Sequence, residues 1–229
     1  MSQRTIQNAS KAIYSAFETV KGRPPTENEL VALTAHSGVE SSYGIARYRA
    51  WPGHIPPRID GKLNFITKAE GGGFPGRTPV LYNFGASHCP SCTGDSYVWG
   101  VDRSPSRTKK GLPDYYAAKF HRFDTLEQGA THHVKLLNSE RYREALDGTD
   151  DGDLDAYAQR LKAAGYYGVT AAQYARALKL RAADVREALG LNKPAPVKSK
   201  SSGATGGSGA ILLWAAAGLT GLVLLRNTR

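Results

Sequence analysis

The sequence predicts an α+β protein, mainly helical, with one sheet-bearing segment between two helical ends. Three observations carry that reading. Apolar residues recur at helical spacing from Ile6 to Ala35 and again beyond Thr125. The stretch from Ala50 to Gly111 is rich in Gly, Pro and aromatic residues. A run without charge stands near the C-terminus. The 229 residues suffice for one compact domain, and 41% hydrophobic with 22% charged residues excludes a disordered, collagenous or coiled-coil chain.

Ile6, Ala9, Ile13, Ala16, Phe17 and Val20 predict a helix from about Thr5 to Lys21, ended by Gly22-Arg23-Pro24-Pro25. Thr26-Glu27-Asn28-Glu29 reads as a capping box, so a second helix follows to about Ser42 with Leu30, Val31, Leu33 and Ala35 on its apolar face. In the Gly-rich region, Tyr97–Arg103 and Tyr115–Phe123 are expected to pair as a hairpin across a long polar turn. Thr125-Leu126-Glu127-Gln128 is a second capping box. Asp153 caps a further helix that Gly165 stops. Thr170 opens another, and a last helical stretch reaches Leu189 before Gly190.

The formal net charge is +10, but Lys193, Lys198, Lys200, Arg226 and Arg229 all follow the last acid, Glu187. The body is thus only mildly basic, which suits an anionic polymer such as cell wall or nucleic acid and chooses between them weakly. Residues 192–209 read as a flexible Pro/Lys/Ser/Gly linker. Residues 210–225 carry no charge and rise ~24 Å as a helix. With the uncharged residues 206–209 they approach the ~30 Å of a hydrocarbon core. A transmembrane helix is expected there, followed by a basic tail over 226–229. Two cysteines, Cys89 and Cys92, cannot make an all-cysteine zinc site and are read as a local disulfide. No metal and no cofactor is expected. Met1 to Lys21 has no unbroken apolar core and does not read as a secretory signal.

Glu40 falls near the end of an apolar helix, in His36-Ser37-Gly38-Val39-Glu40-Ser41-Ser42-Tyr43-Gly44. Desolvation at such a place favours a protonated carboxyl, suited to giving a proton to a glycosidic oxygen. Glu40-Ser41-Ser42-Tyr43-Gly44 resembles the Glu-Ser-x-x-Gly motif of glucosaminidase-type peptidoglycan hydrolases, family 73 of the glycoside hydrolases, which includes autolysins and flagellar muramidase domains. Tyr82-Asn83-Phe84-Gly85 resembles that family's Asn-Leu-Phe-Gly motif, and Trp99-Gly100 falls where the family often has a Trp before its hairpin. Ala163-Ala164-Gly165-Tyr166 with Tyr174-Ala175 resembles its Gly-Tyr-Ala-x-x-x-x-Tyr-Ala element. These matches run in family order from about Leu30 to Leu178. The segment Arg49–Pro79 looks longer than in the family, the cysteines are not part of its pattern, and Tyr167-Gly168-Val169-Thr170 replaces its usual Ala-Thr-Asp-Pro.

The resemblance implies a lysozyme-like, two-lobed domain over residues 1–191, with a cleft between a helical lobe and a small hairpin lobe. It implies Glu40 as general acid and Asp102 as the second carboxylate, with Asp95 and Glu70 as rivals. Assistance by the substrate's 2-acetamido group is the alternative to a second carboxylate. Tyr166 matches the family's cleft tyrosine and is expected to take part in catalysis. Tyr82, Asn83, Phe84, Trp99 and Tyr174 are the expected substrate contacts, with Trp51 a further stacking candidate. The expected activity is cleavage of β-1,4 bonds in peptidoglycan glycan strands, with the membrane, other virion proteins and no nucleic acid as partners. A membrane-anchored enzyme carried in a phage particle reconciles a C-terminal anchor with a missing export signal. A lytic transglycosylase, a bacterial inner-membrane autolysin and a non-catalytic wall-binding module stand as alternatives.

Overall fold

The computed structural model describes residues 1–46, 49–50, 58–59, 62–63, 76–77, 80–103 and 115–191. The expected linker, membrane helix and basic tail, together with Trp51 and Glu70, lie outside the described residues. Among the described residues no helix is long and apolar enough to cross a membrane.

The helical body begins with α1, Gln3–Lys21, capped by Ser2 two residues before the expected start. Helix α2, Glu27–Ser41, opens with both bonds of the Thr26–Glu29 capping box in place. Glu29 is fully buried there, and Arg23 clasps both its oxygens at 2.6 and 2.7 Å. That pairing is what lets a carboxylate sit in the core, and it raises the Arg23 guanidinium above its ordinary value. Helix α3, Leu126–Leu137, starts at Thr125, but Gln128 turns back to the Asp124 amide, so the box is displaced by one residue. A short helix, α4, Arg143–Asp147, was not expected. Helix α5, Leu154–Ala163, is capped by Asp153 and followed by left-handed Gly165. The two expected C-terminal stretches are one helix, α6, Ala171–Ala188. No Gly or Pro interrupts that span, and Ala182 and Val185 extend the buried stripe of Tyr174 and Leu178.

In the body α1 lies along α3, while α2 and α5 lie along α6. One continuous core joins them, built around Ile13, Phe17, Leu33, Val134, Tyr157 and Leu178. Burying each such side chain contributes about 1.5–3 kcal/mol.

The second lobe is a four-stranded antiparallel sheet in the order β4-β1-β5-β6. Its strands are β1 (Arg49–Ala50), β4 (Gly76–Arg77), β5 (Tyr97–Arg103) and β6 (Tyr115–His121), and β2 (Arg58–Ile59) pairs separately with β3 (Lys62–Leu63). The expected hairpin is the β5–β6 pair, in register from Tyr97 opposite His121 to Arg103 opposite Tyr115. Leu81, Ala118 and Phe120, with Val98 against them, form a small core of their own.

Candidate active site

Glu40 is the penultimate residue of α2, where the helix dipole opposes negative charge. The chain then turns sharply, with Ser42, Tyr43 and Gly44 in succession at φ 51, 64 and 81. The turn is clasped from within. The Tyr43 amide donates to Ser37 (3.0 Å), and the Ser41 hydroxyl accepts from the Gly44 amide (2.9 Å). Tyr43 is buried, and burial pushes its phenol up to about 12.

Glu40 itself is half-buried, and the Tyr174 hydroxyl donates to its Oε1 at 2.8 Å. Tyr174 is 0% exposed and stacks face to face on Tyr167 at 3.9 Å. Burial, and then the nearby Glu40 carboxylate, hold the Tyr174 phenol well above its ordinary value, so it remains a donor throughout the neutral range. One turn earlier on α2, His36 is buried with Nδ1 2.6 Å from the Tyr157 hydroxyl. Its ring meets His133 and Tyr166 edge-on at 4.9 and 4.8 Å. Glu40 thus rests on a closed bed of aromatic and imidazole rings supplied by α2, α3, α5, α6 and the segment before α6.

The Tyr82–Gly85 turn locks this bed. Asn83 is 2% exposed. Its amide donates to the Ser87 and His121 carbonyls, while its oxygen accepts from the Ser87 amide and hydroxyl. Phe84 is fully buried, and a Cβ on Gly44 would come within 2.5 Å of its ring. The Phe84 carbonyl accepts from the Ser41 hydroxyl at 2.9 Å, next to Glu40. A Cβ on Gly85 would press on His133 and on the Tyr166 hydroxyl, which donates to the Gly85 carbonyl.

Four of the residues expected at the substrate lie beneath the surface. Asn83, Phe84, Tyr166 and Tyr174 are each no more than 2% exposed, and substrate contact needs surface they do not have. Long-range packing claims them: Tyr174 grips Glu40, Phe84 meets Ser41 beside it, and Asn83 and Tyr166 brace the 82–85 turn. Tyr82 alone of its motif keeps partial exposure.

In the sheet lobe, Asp102 Oδ2 stands 2.8 Å from His88 Nε2, with the two side chains 16% and 12% exposed. His88 bridges to Phe120 of β6 and sets its ring edge-on to that phenyl. Asp95 is exposed in a 3-10 turn, Gly94–Ser96. Strand pleating separates two expected partners. Val98, Gly100 and Asp102 share the face that carries the small core, whereas Trp99 shares the opposite face with Tyr97 and Lys119. Trp99 and Asp102 therefore do not line one wall. Cys89 and Cys92 are joined as a disulfide.

Sequence reasoning gave no site role to Ser41 or Tyr157 and did not pair His88 with Asp102. Ser41 is the serine of the Glu-Ser-x-x-Gly pattern and could have been found there. His88 and Tyr157 join the site only through pairings across the fold. A groove lined by Asp155, Ala172, Arg176, Lys179 and Leu180 contains none of the site residues.

No protein-family model matches the chain, and no curated protein sequence does. Solved structures are similar to it. A peptidoglycan hydrolase from Sphingomonas sp. A1 superposes with TM-score 0.53 at 16% identity, over 86% of this chain and 100% of that one. A mutant of a peptidoglycan hydrolase from the same organism gives 0.51 at 21% identity, over 83% of this chain and 100% of that one. At such identity the likeness is one of fold. The chain has the mainly helical, lysozyme-like architecture with a small sheet lobe.

Proposed function

We propose that this protein hydrolyses β-1,4 glycosidic bonds in the glycan strands of peptidoglycan, in the manner of an N-acetylglucosaminidase or muramidase. The observation that carries the reading is the Glu40 carboxyl, half-buried at the end of α2 and gripped at one oxygen by the Tyr174 hydroxyl. With Oε1 so engaged, Oε2 carries the proton that goes to the leaving oxygen. Asp102, oriented by His88, acts as base toward the attacking water on the other side of the sugar. Tyr82 offers a ring for a sugar face. The fold shared with a peptidoglycan hydrolase supports the substrate class.

General acid catalysis contributes about 10²- to 10⁴-fold. Glu40→Gln is therefore expected to lower turnover of purified peptidoglycan by that factor with its melting temperature unchanged, and retained activity would sink the assignment. Mass spectrometry of the digest identifies the chemistry: reducing N-acetylglucosamine or N-acetylmuramic acid ends support hydrolysis, and anhydro-muramic ends would make the protein a lytic transglycosylase. Asp102→Asn loses activity if the carboxylate is the base, and keeps it if the acetamido group assists.

The proposal extends to placement. The uncharged run over residues 210–225 inserts in a membrane behind the 192–209 linker, and the enzyme serves local wall penetration from a membrane-containing phage particle. Alkaline carbonate extraction tests this, since release of the full-length chain to the supernatant would remove the anchor and the virion placement with it.

A further inference from the structure

The cysteine pair begins at the residue after His88, and its bond closes a loop of sequence separation 3. So short a loop lies at the small end of what a disulfide contributes by restraining the unfolded chain. Yet the pair is carefully seated. The Cys89 amide donates to the Lys119 carbonyl at 2.8 Å, the Lys119 ammonium donates to the Cys92 carbonyl at 2.7 Å, and the His121 amide donates to Ser87 at 3.2 Å. This docking brings Cys92 Sγ to 3.6 Å from His121 Nδ1, at the end of β6. Cys89, Cys92 and His121 each offer one ligand atom, and those three atoms lie within 4.8 Å of one another.

We propose that the reduced Cys89–Cys92 pair and His121 form a zinc site, with water in the fourth position. Two thiolates and an imidazole are the donors zinc prefers, and three protein ligands plus water is a known tetrahedral arrangement. Zn–S of about 2.3 Å and Zn–N of about 2.0–2.1 Å separate S from N by about 3.6 Å across a tetrahedral ion. The Cys92–His121 spacing matches that figure. The two sulfurs must part to about 3.8 Å, which the 5.4 Å between their Cα atoms accommodates by side-chain rotation. The nearby Lys119 ammonium offsets thiolate charge.

Disulfide and zinc are mutually exclusive on these sulfurs. A thiol reductant delivers two electrons and two protons to the Cys89–Cys92 bond and becomes a disulfide itself. Zinc binding then displaces the two thiol protons. A disulfide oxidant reverses the step, taking two electrons, re-forming the Cys89–Cys92 bond and expelling the ion. The site is thus loaded in a reducing compartment and emptied in an oxidising one.

The test uses the full-length chain in mild detergent, reduced with a phosphine, desalted without air and titrated with cobalt(II). One equivalent should give thiolate-to-cobalt charge transfer and the visible bands of a tetrahedral ion, both bleached by zinc(II). His121→Ala should weaken cobalt binding by at least about tenfold. Cys92→Ser, close to isosteric, should abolish the charge-transfer band, and the unreduced chain should show none. Absence of that band in the reduced wild type would overturn the proposal. So would unchanged affinity in His121→Ala, or equal binding before and after reduction.

Discussion

The ground beneath Glu40 and the lobe that carries Asp102 are built on different principles. Glu40 rests on side chains from α2, α3, α5 and α6 together with the 82–85 turn, nearly all fully buried and mutually hydrogen-bonded. Asp102 lies on a strand backed, among the described residues, by the small cluster of Leu81, Ala118, Phe120 and Val98, and the His88 imidazole faces its carboxylate. An acid whose position is set by many elements survives change at any surface residue but not within its bed. A carboxylate on a thin lobe can be moved by small changes in the sheet.

The sharpest test removes one phenyl from each region. Phe84→Ala should cost about 3–5 kcal/mol in urea unfolding, because its closed surroundings cannot collapse into the gap, and activity should go with it. Phe120→Ala should cost less, since the small cluster around it can settle into the space. An equal loss at Phe120 would erase the distinction. Next in size is Tyr174→Phe, which removes the bond to Glu40 while keeping the ring. Turnover should fall about tenfold with KM little changed, and the change should add nothing in a Glu40→Gln background. Trp99→Ala should alter kcat/KM and stability by no more than about 0.5 kcal/mol, as its face of the hairpin is turned away from Asp102. A large rise in KM would show that the glycan runs along the outer face instead.

The smallest effect concerns Asp153. Amide hydrogen bonds, that of Ala156 foremost, hold its carboxyl below the ordinary value. Its contribution is therefore present above an unfolded pKa of 3.8 and lost as pH falls through the lower folded value. Asp153→Ala should lower the melting temperature slightly at neutral pH, and the difference from wild type should vanish in strong acid.

Much of the frame was legible because its signals are local. Thr26, Asp153 and Thr170 each announce a helix within three residues of its start, and Tyr97–Arg103 has the aromatic and β-branched residues of a strand. Helix α4 escaped notice because Tyr142 supplies no side-chain cap. The burial of Asn83, Phe84, Tyr166 and Tyr174 was not legible because what covers them comes from far along the chain. Phe84 meets Ser41 across a separation of 43 residues, and Tyr174 meets Glu40 across 134. The division between Trp99 and Asp102 was present in the sequence all along. They differ by an odd number of positions on one strand, and the resemblance of motifs drew attention away from that parity.

The turn after Glu40 also bears on when the protein becomes active. Ser42 and Tyr43 occupy backbone conformations costing roughly 1–3 kcal/mol each, so the isolated segment does not hold them. They persist only once Phe84 has seated on Gly44 and its carbonyl has received the Ser41 hydroxyl. That meeting requires closure of a long loop, a slow event compared with helix formation. A nascent or partly folded chain can therefore carry finished helices and still lack a competent acid. Under the proposed function, the acid would become competent only together with the completed fold.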